Sequence, residues 1–142
     1  MSDQLATFRV GGLLVGVDVT VVQEVLAAQA ITPVPGEPAG VLGLLNIRGR
    51  LVTAVDARHR LGLPERTADA DVANVIIRTG DEVVSLVVDR AGEVVDVDHD
   101  AYEEVPELVA ETIRTLATGA YKLEHELLLV LDAGRSVSVT GS

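Results

Sequence analysis

Short apolar runs, rich in β-branched residues and bounded by Gly, Pro or Asp, recur along the whole chain. Each run has the length of a β-strand, and Val and Ile pack well on a pleated surface. The runs are TFRV, LLVGVD, LVTAVD, NVIIR, VVSLVVD, EVVDV and ELLLVLD. Many short strands separated by turn residues are typical of barrels and sandwiches, so we expect a mainly β fold.

Two segments have a different apolar spacing, which predicts helices. In TVVQEVLAA the apolar positions that share one helical face are Val21, Val22, Val25 and Leu26. Thr20 and Gln23 can form a capping box at its start, where their side chains satisfy backbone N–H groups that the first turn leaves unpaired. A second helix is expected in PELVAETIRTLA, beginning at Pro106, because proline is tolerated in a first turn.

Other stretches are expected to lie outside regular structure. The segment ITPVPGEPAG is rich in proline and glycine, which predicts an extended connector. The polar region from Pro64 to Asp71 is expected to be a surface loop, and the last residues, VTGS, a frayed end.

The chain also repeats its own pattern. FRVGGLLVGVD, leading to Glu24–Val25, resembles IIRTGDEVVSLVVD, leading to Glu93–Val94, and GRLVTAVDARHRL resembles EHELLLVLDAGRSV. Two similar β-units are therefore expected. Their strands end at aspartates 71 and 76 positions apart, namely Asp18 with Asp89 and Asp56 with Asp132. We expect all four carboxylates to accept backbone N–H bonds in turns or helix caps.

Composition narrows both the fold and the chemistry. A chain of 142 residues suits one domain, and with only 2% aromatic residues its core must consist of Val, Leu, Ile and Ala. The absence of cysteine excludes disulfides, thiolate zinc sites and cysteine nucleophiles. The start of the chain lacks the features of a signal peptide, and no apolar stretch is long enough to span a bilayer, so a cytoplasmic protein is expected.

The net charge of −11 bears on the partners of the protein. Nucleic acids and anionic lipids bind proteins mostly through neutralisation of phosphate by Lys and Arg, so an acidic chain repels them. The expected partners are other proteins or small ligands, with no nucleic acid and no insertion into the membrane. An acidic surface also favours solubility, so the charge alone identifies no partner.

One acidic segment, DVDHDAYEEVPE, has carboxylates at the spacing of a calcium-binding loop. Its positions 1, 3, 5 and 12 are Asp96, Asp98, Asp100 and Glu107. Position 6 holds Ala101 instead of the glycine that the sharp turn needs, and no helical pattern precedes the segment. A small acidic calcium- or ligand-binding domain is therefore the alternative function, and a solvated acidic loop is the simpler interpretation.

No combination of residues indicates catalysis or a bound cofactor. His59, His99 and His125 are far apart in sequence and lack the spacing of metal ligands. The chain has no G-x-S-x-G around a serine and no G-K-[ST] for a phosphate. We therefore expect a protein that is not an enzyme and that uses no cofactor or metal.

The order of these motifs resembles the CheW family of chemotaxis adaptors. The resemblance rests on TFRVGGLLVGVD, VVQEV, VPGEPAGVLGLLNIRGR, LVTAVDARHRLGLP, SLVVDRAGEV and GAYKLEHELLLVLD, which extend from about Thr7 to about Val137. The N-I-R-G segment is the most specific part, and the V-D-x-R-x-R-L-G that follows strengthens it.

This resemblance implies two five-stranded SH3-like β-barrels that share a hydrophobic core, with a few short helices, in a single domain over residues 1–142. It also implies a non-catalytic adaptor between the cytoplasmic tips of chemoreceptors and the regulatory domain of a CheA-type histidine kinase. Such an adaptor would be recruited to receptor arrays at the membrane. A specialised protein that binds only one of the two partners is the alternative within the family.

Carried over by motif, the partner-contacting positions of the family are Val22, Glu24, Gly43, Asn46, Arg48 and Gly49. Each also has a structural interpretation. Arg48 could form an internal salt bridge with an acid such as Asp56, and Gly43 and Gly49 could supply positive φ angles. Asn46 could close a turn, Val22 could belong to the core, and Glu24 could simply be solvated.

Overall fold

Ten β-strands and three short α-helices make up residues 3–138, the part of the chain that the computed structural model describes. The strands are β1 (Gln4–Val10), β2 (Leu13–Asp18), β3 (Val22–Ala27), β4 (Val41–Ile47), β5 (Arg50–Asp56), β6 (Ala73–Thr79), β7 (Glu82–Val88), β8 (Arg90–Asp96), β9 (Ala117–Lys122) and β10 (Leu127–Leu131). The helices are α1 (Ala57–Arg60), α2 (Glu111–Arg114) and α3 (Ala133–Val137). The expected frayed end, VTGS, lies outside the described residues.

The strands form two five-stranded sheets. One has the order β8-β1-β2-β10-β9 and the other β3-β6-β7-β5-β4, and we call them the first and second barrel. In each, two antiparallel hairpins meet through one parallel pair, β2 with β10 or β5 with β7. The predicted mainly β fold with two five-stranded barrels and a few short helices is confirmed.

Three apolar clusters hold the strands together. The largest contains side chains from both barrels, including Phe8 and Val15 from the first and Ile77 from the second, each at most 1% exposed. The first barrel has a smaller cluster around Leu128, and the second has one around Leu45. Burial of one such side chain contributes roughly 1.5–3 kcal/mol, so the shared cluster binds the barrels firmly to each other.

The two sequence repeats interleave instead of forming one barrel each. The first barrel combines β1 and β2 of the first repeat with β9 and β10 of the second, and the second barrel combines β4 and β5 with β6 and β7. The chain crosses from the first barrel to the second at β3 and returns at β8. Each barrel therefore has the same strand order with a crossing strand at one edge, which confirms the two similar β-units.

The pairing corrects one detail of the repeat. Counted from Leu13 and Glu82, the first paired residues after each hairpin turn, Asp18 is equivalent to Val87. Asp89 lies two positions further along, beyond the end of β7. The predicted equivalence of Asp18 and Asp89 is therefore wrong, because the apolar runs of β2 and β7 differ in length.

The crossing strands share an irregularity. β3 has a bulge between Val22 and Glu24 where it pairs with β6, and β8 has one between Ala91 and Val94 where it pairs with β1. Each bulge adds one unpaired residue at the same place in its strand. Glu24 on β3 is therefore equivalent to Glu93 on β8.

The predicted helix in TVVQEVLAA is wrong. Val19–Val21 form one 3₁₀ turn, and β3 begins at Val22. Half-buried and exposed residues alternate along β3, as in a strand, and pairing with β6 satisfies its backbone. The capping box of Thr20 and Gln23 is absent as well, since Asp18 accepts hydrogen bonds from the N–H and hydroxyl of Thr20 instead.

The second predicted helix is shorter than expected. Only Glu111–Arg114 are helical, and Val109 N–H donates to the carbonyl of Pro106 in a separate turn. Ile113 and Leu116 are buried, but Leu108 is fully exposed, so the segment lacks the apolar stripe that a longer helix needs.

The remaining segments are irregular. The proline-rich connector and the loop from Pro64 to Asp71 lie outside strands and helices, apart from a single bridge between Thr32 and Leu44, which confirms both predictions. Across residues 3–138, no helix is long and apolar enough to cross a lipid bilayer.

Three of the four strand-ending aspartates cap turns, as predicted. Asp18, Asp56 and Asp132 accept hydrogen bonds from the backbone N–H groups of Thr20, Arg58 and Arg135. Asp89 also accepts a backbone N–H bond in a turn, but its donor is Gly11 of the distant β1–β2 turn, and two arginines donate to it as well. Its position beyond β7 explains the difference.

Candidate functional site

The turn between β4 and β5 has a conformation that constrains Arg48. Arg48 has φ 52° and Gly49 φ 84°, so both central residues of the two-residue turn are left-handed, as in a type I′ hairpin. Asn46 Oδ1 closes the turn by accepting a hydrogen bond from Gly49 N–H at 2.7 Å. Arg48 is the only non-glycine with positive φ within residues 3–138, and such outliers often mark functional positions.

Arg48 forms a bidentate ion pair with Glu24. Arg48 Nη2 donates to Glu24 Oε1 at 2.8 Å, and Nη1 donates to Oε2. The Arg48 hydrogen bond lowers the pKa of Glu24, and the same bond raises the pKa of Arg48. The alternative partner from the sequence, Asp56, is wrong, because Asp56 pairs with Arg66 at 2.9 Å.

This ion pair joins opposite edges of the second barrel. Glu24 lies on β3, and Arg48 follows β4, the strands at the two ends of the sheet order. The pair therefore closes the seam, by which we mean the gap between the two edge strands of a barrel. Arg48 remains 71% exposed and keeps three of its five N–H donors, so it can bind a partner while Glu24 orients it.

Gly43 has a structural role. Its φ is 142°, and a Cβ there would lie 2.2 Å from the carbonyl oxygen of Thr32. The connector passes this close because Thr32 and Leu44 exchange backbone hydrogen bonds of 2.8 and 2.9 Å. Gly43 is buried, so it supports the hairpin and is not part of the exposed surface.

The six predicted positions thus divide into groups. Glu24, Asn46, Arg48 and Gly49 come together at the seam of the second barrel. Val22 is half-buried and packs against the shared core, and Gly43 is covered by the connector. Contact with a partner stays a prediction for all six.

Two apolar residues near the ion pair were missed by the sequence reasoning. Val25 is 46% exposed and follows Glu24 on β3, and Leu51 is 66% exposed and pairs with Asn46 across the hairpin. A strand interpretation would have found both, because Val25 is out of step with its half-buried neighbours and Leu51 shares a face with Asn46. We call Glu24, Asn46, Arg48 and Leu51 the rim surface, whereas Val25 projects from the opposite face of β3.

A second feature lies where the second barrel meets the C-terminal helix. A cavity of about 470 Å³ opens between Val41, Thr53 and Val84 on one side and Val137 of α3 on the other. Glu37 of the connector and Glu82 add charge to its wall. The lining of this cavity is therefore mixed, with valine side chains beside charged and polar groups.

The carboxylates at the calcium-loop spacing do not come together in the described residues. Within residues 3–138, no three His, Cys, Asp or Glu side chains come together in a way that could hold a metal ion. Asp98 Oδ1 accepts a hydrogen bond from Asp100 N–H, and Asp96 Oδ1 accepts one from the side chain of Gln4. The acidic segment therefore runs from β8 through a 3₁₀ turn and does not fold back around a cation.

Comparison with known proteins indicates the same family as the sequence motifs, over almost the full length of the chain. A family model described as CheW-like domain matches residues 4–139. The chain is 31% identical over 131 residues to the chemotaxis protein CheW of Bacillus subtilis, covering 92% of this chain and 84% of that one. It is 30% identical over 131 residues to the chemotaxis protein CheW of Rhizobium meliloti, covering 91% and 83%.

The fold also has a counterpart among solved structures. The scaffolding protein TtCheW from Thermoanaerobacter tengcongensis superposes with a TM-score of 0.86 at 25% sequence identity. The match covers all of this chain and 97% of that one.

Proposed function

Because this chain belongs to the CheW-like family, whose members are non-catalytic chemotaxis scaffold proteins, we propose that it couples chemoreceptors to a histidine kinase. Its partners in this proposal are the cytoplasmic tip of a receptor and the regulatory domain of a CheA-type kinase. The observation that carries the proposal is the ion-paired, left-handed Arg48 in a hairpin that also exposes the apolar side chain of Leu51.

The rim surface is the proposed contact for the kinase. Interface hot spots combine an anchored arginine with apolar side chains that exclude water around it. Arg48 is held in one orientation by Glu24, so little side-chain freedom is lost on binding. Leu51, which pairs with Asn46 in the same hairpin, supplies an exposed apolar side chain next to the turn.

The groove beside α3 is the proposed contact for the receptor tip. Receptor tips are helical hairpins, and an amphipathic helix binds by placing apolar side chains in a groove. A cavity of about 470 Å³ accommodates such side chains, with Val41, Val84 and Val137 as the apolar contacts. Glu37 and Glu82 at the same groove favour a helix with basic residues beside its apolar stripe.

Neither contact needs to be strong. Interfaces below ~1,200 Å² are typical of weak signalling encounters. In an array, many linked weak contacts add up to tight association through high effective concentration. The proposed location is accordingly at receptor arrays beneath the membrane, where the adaptor is held by its partners.

Binding measured separately for each partner tests this proposal. Calorimetric titration of the full chain with the kinase regulatory domain and with the receptor tip is expected to show both interactions, and a scrambled peptide none. Failure of both partners to bind would refute the proposal. Binding of only one partner would refute the coupling role and assign the specialised single-partner alternative.

Arg48→Ala is expected to weaken binding of the kinase regulatory domain about tenfold or more, because it removes the anchored cation of the rim surface. Arg114→Ala is the matched control, since Arg114 is an exposed arginine on α2, beside β9 of the first barrel. Circular dichroism would confirm that both variants fold. Equal affinities for the two variants would remove Arg48 from the binding surface.

A further inference from the structure

The seams of the two barrels have different charge patterns. In the second barrel, Glu24 of β3 pairs with Arg48 of the β4–β5 turn. Glu93 is the counterpart of Glu24, as the matching bulges show. The counterpart of Arg48 is Glu124, because each occupies the first position of a two-residue turn and lies eight residues before the strand-ending aspartate.

The first barrel therefore lacks the cation that closes the second. Glu93 is exposed, and its backbone carbonyl, not its carboxylate, accepts the hydrogen bond from the hydroxyl of Thr7. Glu124 is 88% exposed, with the imidazole Nε2 of His125 at 3.7 Å from its carboxylate. Two carboxylates repel each other, so these two positions form no ion pair, and the described connection to β9 is the pair of backbone hydrogen bonds between Glu103 and Ala120, each 2.9 Å.

A cavity of about 330 Å³ opens at this seam. Its apolar wall consists of Leu14, Val95, Val97, Leu123 and Leu128. Leu123 is 42% exposed beside it, so apolar surface stays accessible to a partner. The charged residues around the cavity are Arg9, Arg90, Glu93 and Asp96.

The charge left at this seam is negative. Arg9 is already neutralised by a bidentate pair with Glu126, with N–O distances of 2.6 and 2.7 Å. Arg90 then faces Glu93 and Asp96 around the cavity, and Glu124 adds a third carboxylate on the neighbouring turn. A cation is the complementary group.

β8 also offers a free backbone edge. Within the described part of the chain, β8 pairs with β1 alone, so the other side of its backbone has no strand partner. Val94 on β8 is 53% exposed. An extended peptide can add to such an edge through main-chain hydrogen bonds, with alternate side chains entering an adjacent pocket.

We propose that the open seam of the first barrel binds an extended, basic segment of a partner protein. The segment pairs with β8, places an apolar side chain in the cavity and inserts a lysine or arginine between Glu93 and Glu124. It thereby supplies between molecules the cation that Arg48 supplies within this one. The site is separate from the rim surface and from the groove beside α3, so it does not rest on the proposed function.

A designed peptide tests the proposal without a known partner. The probe is an N-acetylated, C-amidated heptapeptide of alternating valine and threonine with arginine at its centre, titrated into the isotopically labelled full chain. Amide chemical shifts are expected to move in β8 and in the β9–β10 turn. The same peptide with a central glutamate is expected to bind about fivefold more weakly or not at all.

Glu124→Arg provides the decisive variant. The new arginine is expected to pair with Glu93 and close the seam as in the second barrel, which abolishes peptide binding and slows amide exchange along β8. Glu124→Gln is the matched control, because it removes the charge without supplying a clasp and leaves β8 exchange unchanged. Both substitutions lie on an exposed turn, so the fold tolerates them.

Three results would overturn the proposal. Equal binding of the arginine and glutamate peptides would show that the charges of β8 do not select a basic ligand. Their role would then be to protect a free strand edge against self-association. Shifts outside β8 and its neighbouring turn would place the site elsewhere. Binding of a helical peptide of the same charge, without binding of the extended one, would show that the partner segment is a helix and not an extended strand.

Discussion

Asp89 lies where the chain passes from the second barrel back to the first, and its carboxylate joins separate segments there. Arg58 of α1 donates to it at 2.6 and 2.9 Å, and Arg66 of the 64–71 loop donates at 3.1 and 3.2 Å. Gly11 N–H in the β1–β2 turn donates at 2.7 Å. The pKa of Asp89 is lowered from 3.8 to about 2, and the hydrogen bonds from Arg58 make the largest contribution. The hydrogen bonds from Gly11 and Arg66 lower it further.

Asp89→Asn is expected to lower the free energy of unfolding by about 1–2 kcal/mol at pH 7, after allowance for partial solvent screening. The folded pKa lies below the unfolded value, so the carboxylate stabilises the folded chain fully above about pH 4. That contribution is lost as the pH falls towards 2. Urea unfolding at several pH values measures the difference between variant and parent, which should shrink along this range.

The matched control for Asp89 is Asp69→Asn, an exposed acid in the 64–71 loop. It is expected to change stability by less than about 0.5 kcal/mol at any pH. A difference between Asp89→Asn and the parent that stays constant from pH 7 to pH 2 would show that the carboxylate charge is not what joins these segments.

Local interactions explain which site residues could be predicted. Asn46 and Gly49 lie in one turn, so their turn roles followed from the residue types. The partner of Arg48 could not be found in this way, because Glu24 is 24 positions away and its segment was assigned to the wrong element. Asp56 was the nearer acid in sequence, but β5 directs it towards Arg66.

At the scale of elements, the strands with long apolar runs were predictable and β3 was not. In β3, Val22, Val25 and Leu26 fit a helical face, while the alternation of half-buried and exposed positions also fits a strand. Pairing with β6, which is far away in sequence, decides between the two. At α2 the error was the opposite one, because the predicted helix is longer than the observed helix. Its sequence has helical spacing, but few of its side chains pack against apolar surface.

The β4–β5 hairpin contains one exposed leucine, Leu51, and one core leucine, Leu45, so the proposed binding role can be tested separately from stability. Leu51→Ala is expected to leave stability within about 0.5 kcal/mol of the parent, since Leu51 is 66% exposed, and to weaken kinase-domain binding about fivefold. Leu45→Ala is the matched substitution in the same hairpin. Leu45 is 1% exposed, so about 2–5 kcal/mol of stability should be lost.

Chemical denaturation and calorimetric titration measure the two effects. The folded fraction of Leu45→Ala is expected to bind the kinase domain with unchanged affinity. A loss of affinity in Leu45→Ala that matches the loss in Leu51→Ala would indicate that the hairpin acts through its shape and not through its exposed side chains.

At the scale of the whole molecule, exposed apolar residues lie on both barrels. Val25 and Leu51 belong to the second barrel, and Leu108 projects fully exposed from the turn that precedes α2, beside the first. The proposed adaptor role in an array requires contacts on more than one side of the protein. The fold and its two barrels were predictable from the repeated strand pattern and the family motifs, whereas the placement of these surfaces depends on how the repeats interleave.

Leu108→Ser is expected to leave stability unchanged, because the side chain is fully exposed. In mixtures with kinase and receptor tip, it is expected to reduce large assemblies in sedimentation velocity while preserving binding at the rim surface. Assemblies of undiminished size would show that Leu108 contributes to no contact outside the rim surface.

The interleaving of the repeats also determines the order in which the two barrels can fold during synthesis. On the ribosome, β1 and β2 emerge before the second barrel, but β10, which lies beside β2, emerges only after that barrel is complete. The first barrel therefore waits for β9 and β10, and the second barrel, complete at β7, is available as the surface against which the first barrel closes.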